Sequence, residues 1–113
     1  MEIRYRPGAR ADQIVVAPEG DLDLYASVAF GSVLLARMEA GTTRMVLDFA
    51  GVRYLDSSGV GALIRLLQRA RTLGGEIRVA NLKGTPKKVL EMSNIISLLK
   101  VAPDVETALA AWG

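Results

Sequence analysis

The 113 residues include no cysteine and no histidine. Without cysteine there can be no disulfide, thiolate metal site or cysteine nucleophile, a composition that fits a reducing compartment. Without histidine a Ser-His-Asp triad cannot be assembled within the chain, and the commonest metal ligand is missing. Aromatic residues are also scarce: one tryptophan, three tyrosines and two phenylalanines. Single-stranded nucleic-acid surfaces interleave aromatics with basic residues. Here the basic residues are scattered, with Lys87-Lys88 as a pair and Arg65, Arg69 and Arg71 near one helix face. The net charge is only +2, so these side chains read as solvated faces and no nucleic-acid partner is expected. The longest helical apolar stretch, Val28 to Met38, is interrupted by Ser32 and Arg37 and is too short to span a bilayer. The opening Met1-Glu2-Ile3-Arg4-Tyr5 alternates polar and apolar residues, unlike a signal peptide. A cytoplasmic protein with no membrane partner is expected.

What is present points to one globular domain over residues 1–113: 50% of the residues are hydrophobic and 23% charged, enough for a single core. Ile3 to Arg6 and the apolar Gln13 to Ala17 read as two strands paired in a hairpin across Pro7-Gly8. Pro18-Glu19-Gly20 reads as a break. Phe30, Leu34 and Met38 recur every four residues in a segment from about Tyr25 to Ala40, a helix with Asp23 as its cap and Gly41 after its end. Arg44 to Phe49 is a strand apolar enough to be covered on both faces. Ala50 to Leu55 reads as a connection into Asp56-Ser57-Ser58-Gly59. The following helix carries Val60, Leu63, Ile64, Leu66 and Leu67, and Leu73-Gly74-Gly75 stops it. Glu76 to Ala80 completes a β-α-β unit, expected to be parallel and right-handed. Pro86 opens a helix carrying Val89, Leu90 and Met92. Ile95 to Val101 reads as a short helix and then an edge strand at Leu99–Val101, and a last helix runs through Val105, Leu109 and Trp112. The fold class is α/β, with a mixed sheet of four or five strands and helices packed mainly on one face.

The chemistry concentrates in Asp56-Ser57-Ser58-Gly59, at a loop-to-helix junction. Asp and Ser are preferred caps, because a side-chain oxygen accepts a free N–H of the first turn. A nucleophilic serine is disfavoured: the run lacks the G-x-S-x-G form and there is no histidine to take the proton. Gly59-Val60-Gly61 could cradle a phosphate, but no Lys-Ser/Thr pair follows as in a P-loop. The remaining reading is covalent phosphorylation, since a helix start favours negative charge. A cap and a modification site remain compatible alternatives on this ground. Val28, Ala29, Gly31, Leu35 and Ala36 lie off the stripe of the first helix, which is therefore apolar on more than one face and is either ordinary surface or a contact for a partner or a second copy.

The run from Val46 to Gly61, with its D-S-S-G loop, resembles the STAS domain family, and within it the bacterial anti-sigma factor antagonists. Glu19-Gly20-Asp21-Leu22-Asp23 is similar to the family's G-E-x-D segment, and Gly74 to Asn81 followed by Val89-Leu90-Glu91-Met92 to a later one. The resemblance covers essentially the whole chain and implies a STAS fold. It implies that Ser58 is phosphorylated by a partner, an anti-sigma factor that is itself a serine/threonine kinase. Ser57 is then the neighbouring loop serine, Asp56 the capping or loop-orienting carboxylate, and Asp23 the acidic residue near the loop. Asp21 departs from the family's glutamate, keeping the charge but shortening its reach. Asp21, Asp23, Asp56, Ser57, Ser58 and Gly59 are the implied partner surface. The unphosphorylated protein would bind the kinase and free the sigma factor, and a phosphatase would reset the switch. ATP and Mg²⁺ belong to the kinase, leaving this chain with no catalytic residue, metal or cofactor and a monomeric or weakly dimeric state. A non-switching scaffold of a stress-signalling or lipid-transport complex and a weak nucleotide-binding module are the alternatives.

Overall fold

Six strands and four helices follow one another along residues 1–112, the part of the chain that the computed structural model describes. Strands β1 (Glu2–Pro7) and β2 (Gln13–Leu22) form the expected antiparallel hairpin, with Ile3 opposite Pro18 and Pro7 opposite Ile14. β2 does not end at Pro18-Glu19-Gly20. It continues with a register irregularity between Gly20 and Asp21, where Gly20 takes a φ of +112° that a side chain would resist. This irregularity gives β2 two partners on one side. Gln13 to Val16 pair in parallel with β3 (Arg44–Asp48), and Gly20 to Leu22 pair in parallel with β4 (Val52–Leu55).

The sheet therefore has six strands, not four or five. The missing strand is β4, which lies in what reads as a connection. Four residues with only Val52 and Leu55 buried carry too little pattern to announce a strand, and the partner stretch of β2 is itself disguised by proline and glycine.

From β2 the chain steps through helix α1 (Leu24–Glu39) to β3, through helix α2 (Ser57–Thr72) to β5 (Glu76–Ala80), and through helix α3 (Gly84–Met92) to β6 (Lys100–Ala102). The sheet order is β1-β2-β3-β5-β6, all parallel after the first pair, with β4 on the far end of β2. The period of two along each strand divides the core. Val16, Met45, Leu47, Ile77 and Val79 pack with Phe30, Leu34 and Met38 of α1, Leu63 and Leu66 of α2 and Leu90 of α3. The intervening residues Val15, Val46 and Ala80 face the other way, where helix α4 (Val105–Ala110) covers them with Val105 and Ala108. Three helices on one face and one short helix on the other agree with the expected layering, and β3 is buried on both faces as its sequence demands.

Two further expectations are revised. Met92 is 83% exposed, not part of an apolar stripe. Ile95 to Leu99 form turns rather than a short helix: Asn94 adopts a φ of +59° just after α3, and Ile95 and Leu99 plug the core as separate residues. The edge strand starts one residue later than expected.

Close backbone approaches fix the layers. Gly75, between α2 and β5, lies so close to the residue leading into β3 that a Cβ there would stand 2.0 Å from the Thr43 carbonyl oxygen. Glu76 ties β5, β6 and the C-terminal segment together, accepting hydrogen bonds from Arg78 Nε at 2.7 Å and from Trp112 Nε1, and pairing with Lys100 Nζ at 2.9 Å. Both sheet edges are charged. On β1, Arg4 pairs with Glu2 at 3.2 Å and Arg6 with Glu106 at 2.8 Å, and Lys100 lies on three-residue β6.

Candidate functional site

Two helices start side by side at the carboxyl ends of β2 and β4. Leu22 and Leu55 are register partners at those ends, and the residue after each is an aspartate that caps a helix. Asp23 Oδ1 accepts from the N–H groups of Tyr25 at 3.1 Å and Ala26 at 3.0 Å. Asp56 Oδ1 accepts from the N–H groups of Ser58 at 2.9 Å and Gly59 at 3.2 Å. Asp56 N–H in turn donates to the Leu22 carbonyl at 3.4 Å, fastening one helix start to the strand that launches the other.

This geometry sorts the four residues of the loop. The cap is Asp56, so Ser57 and Ser58 are the first two residues inside α2. Ser57 is exposed and Ser58 half-buried, and among the described residues neither hydroxyl has a hydrogen-bond partner. Gly59 is buried because a Cβ there would stand 2.3 Å from Leu55 Cδ1 and 2.8 Å from the Leu22 carbonyl oxygen. Only glycine lets α2 begin against those two residues. Asp21 is exposed and lies opposite Tyr54 across the β2–β4 pair. The six residues singled out from sequence thus lie along one rim: Asp21 and Asp23 from β2 and its end, and Asp56, Ser57, Ser58 and Gly59 from the start of α2.

Beside these six stand exposed apolar residues, of which the sequence singled out only Val28, as one of the off-stripe residues of α1. Leu24 is 59% exposed, Tyr25 86% and Val28 62%, on the first turns of α1, and Tyr54 of β4, the register partner of Asp21, is exposed as well. The placement of Leu24 and Tyr25 as the first two residues after a capping aspartate was the available signal. An open groove of about 570 Å³ runs between β1 and the start of α1, lined by Ile3, Asp21, Asp23, Tyr25, Ala26 and Phe30. A second cleft, of about 430 Å³, lies on the opposite side of the sheet against α4, lined in part by Arg6, Val15, Asn81 and Val105. Among the described residues there is no cluster of three or more metal-ligating side chains, and no helix is long and apolar enough to cross a membrane.

The profile of the STAS domain family matches residues 1–108. The chain belongs to the STAS domain family. BtrV of Bordetella bronchiseptica, designated a candidate anti-sigma factor antagonist, is 32% identical to this STAS domain over 79 residues, which are 70% of this chain and 68% of BtrV. A solved structure of a candidate anti-sigma factor antagonist from Thermotoga maritima superposes with a TM-score of 0.89 at 17% identity, covering 96% of this chain and 92% of that one. The Bacillus cell fate determinant SpoIIAA in its phosphorylated form superposes with a TM-score of 0.76 at 19% identity, covering 99% of this chain and 100% of that one. At such identities the superpositions establish a shared fold. In this STAS domain the D-S-S-G loop is the first turn of α2, capped by its own aspartate and seated on its own glycine.

Proposed function

We propose that this STAS domain is a cytoplasmic, non-enzymatic anti-sigma factor antagonist. In its unphosphorylated form it binds an anti-sigma factor serine/threonine kinase through the rim formed by Asp21, Asp23, Asp56, Ser57, Ser58 and Gly59, and so releases a sigma factor. Phosphorylation of Ser58 ends that binding, and a phosphatase restores it.

The observation that carries this reading is the seating of Ser58: a serine on a carboxylate-capped helix start, its hydroxyl uncommitted, on the helix that begins next to the one carrying exposed Leu24, Tyr25 and Val28. Exposed apolar side chains next to a modifiable serine suit an interface that one charge can break. In the transfer, Ser58 Oγ would bond to the γ-phosphorus of ATP held by the kinase, the bond to ADP would break, and the hydroxyl proton would leave to a base of the kinase. Phosphate adds about −1.5 to −2 charge. A penalty of about 3 kcal/mol at the interface lowers affinity more than a hundredfold.

The test has two arms. Intact-mass spectrometry of the protein from its own cells, with the site mapped, should show a single phosphate on Ser58. Partner binding should be kept by Ser58→Ala and lost by Ser58→Asp. Equal binding by wild type and both variants would sink the switch.

A further inference from the structure

The first turn of α2 is already occupied by negative charge. A helix start attracts an anion through its free N–H groups, yet those of Ser58 and Gly59 are bonded to the Asp56 carboxylate. Asp23 caps the neighbouring helix in the same way, and Asp21 lies two residues before it on β2. A phosphate on Ser58 therefore arrives among carboxylates, not in an empty cradle. Such a group needs a cation.

The sequence of α2 supplies one. Ser58, Gly61 and Arg65 are spaced i, i+3 and i+7, which puts Ser58 and Arg65 on the same side of the helix, about 20° apart. Long side chains on a helix lean toward its N-terminus, so Arg65 points back toward Ser58. Gly61 leaves the intervening turn bare, and Arg65 Nη1 lies over it, 3.6 Å from where a Cβ would stand. Seven residues rise about 10.5 Å; Arg65 Nη1, lying at Gly61, already covers about 6 Å of that rise and leaves about 4.5 Å, the three residues from Gly61 back to Ser58. Among the described residues Arg65 has no ion-pair partner, whereas Arg69, the next arginine of the helix, is held bidentately by Glu39.

We propose that Arg65 is the internal counter-ion of a phosphate on Ser58, clamping it along the surface of α2 across Gly61. The proposal rests on the reading of Ser58 as the modified serine. Its consequence is a second phosphate pKa about half a unit lower than it would be without Arg65, so the phosphate keeps more of its second charge when the cell acidifies slightly. The other charged groups on the elements meeting at this end of α2 are Asp21, Asp23 and Asp56, which oppose the dianion, Arg53 of β4, and Lys83, Lys87, Lys88 and Glu91 around α3. All of them are common to wild type and an Arg65 variant, so comparing the two isolates Arg65.

The experiment uses the full chain with phosphoserine installed at residue 58 during translation, which needs no kinase. A ³¹P NMR pH titration reads the second phosphate pKa. In Arg65→Gln it should rise by about half a unit, a threefold gain in proton affinity. Arg65→Lys should restore part of the difference, and Arg69→Gln should leave the value of wild type. The unphosphorylated Arg65→Gln protein should melt with wild type, because among the described residues the exposed Arg65 side chain makes no hydrogen bond or ion pair. Identical titrations of wild type and Arg65→Gln, or an equal shift in Arg69→Gln, would overturn the clamp. The role of Ser58 in the cell is judged separately, by phosphosite mapping and partner binding.

Discussion

Replacing Gly59 by alanine probes the contact that sets the serine turn in place. The new methyl would lie 2.3 Å from Leu55 Cδ1, 2.8 Å from the Leu22 carbonyl oxygen and 3.3 Å from Leu22 Cβ. The leucine methyl can swing aside at a rotamer cost. The carbonyl cannot move freely, because it sits at the end of β2 and receives the Asp56 N–H. Forcing one extra carbon into such a site costs about 1–3 kcal/mol. Helix propensity opposes this, favouring alanine over glycine by about 1 kcal/mol in a helix interior and less in a first turn. The expected net loss is about 1–2 kcal/mol, which for a domain of this size lowers Tm by roughly 4–10 °C. Gly61 is the internal control. A Cβ there meets only Arg65 Nη1 at 3.6 Å, so alanine should stabilise by about 0.5–1 kcal/mol. Urea unfolding followed by far-UV circular dichroism should rank the midpoints Gly59→Ala below wild type below Gly61→Ala, with one shared m-value. A Gly59→Ala midpoint at or above that of wild type would refute the tight seating of α2 on Leu22 and Leu55.

Two other perturbations separate local from distant effects. Asp56→Ala removes the acceptor for two first-turn amides and should cost about 1 kcal/mol, while Asp56→Asn, an equally good cap, should cost little; hydrogen exchange at the Ser58 and Gly59 amides would show the loss directly. Burial pushes the Glu76 carboxyl up, but hydrogen bonds from Lys100, Trp112 and Arg78 outweigh it and hold the group below its ordinary value of 4.5. Its contribution is therefore complete above the unfolded-state pKa and fades as pH falls through the lower folded value. Glu76→Gln should cost about 1 kcal/mol at pH 7 and progressively less in acid, measured by denaturant titrations at pH 7 and pH 3. A constant difference across that range would show that the carboxylate charge is not what matters.

Much of the fold is legible where periodicity and punctuation agree. The stripe of Phe30, Leu34 and Met38 with Asp23 before it defines α1, and the two-sided apolar run Met45-Val46-Leu47 places β3 in the middle of the sheet. β4 escapes because its partner is the tail of β2 beyond Pro18 and Gly20, and pairing across 30 residues leaves no local mark. Ile95 and Leu99 mislead for the opposite reason: both are core residues, but turns deliver them rather than a helix. Six residues named from the sequence lie together at the ends of β2 and β4, while exposed Leu24, Tyr25 and Tyr54 carried no pattern to announce them. What could not be read was the division of labour among the six. Asp56 and the serines are all good caps in isolation, and only the fixed backbone shows that the aspartate takes the amides and leaves both hydroxyls uncommitted. The lane from Ser58 over Gly61 to Arg65 was present in the spacing but unremarkable until the cap was known to be filled.

The charged edges of the sheet bear on how a partner can dock. An open sheet edge is a template for a foreign strand, and many recognition events exploit it. Here β1 presents Arg4, Arg6 and Pro7 along its length, while β6 offers three residues, Lys100 among them, with Pro103 next in the chain. Backbone pairing is discouraged at both ends. Copies of the domain are thereby discouraged from zipping into larger sheets, and side chains rather than free backbone are what these edges offer a partner.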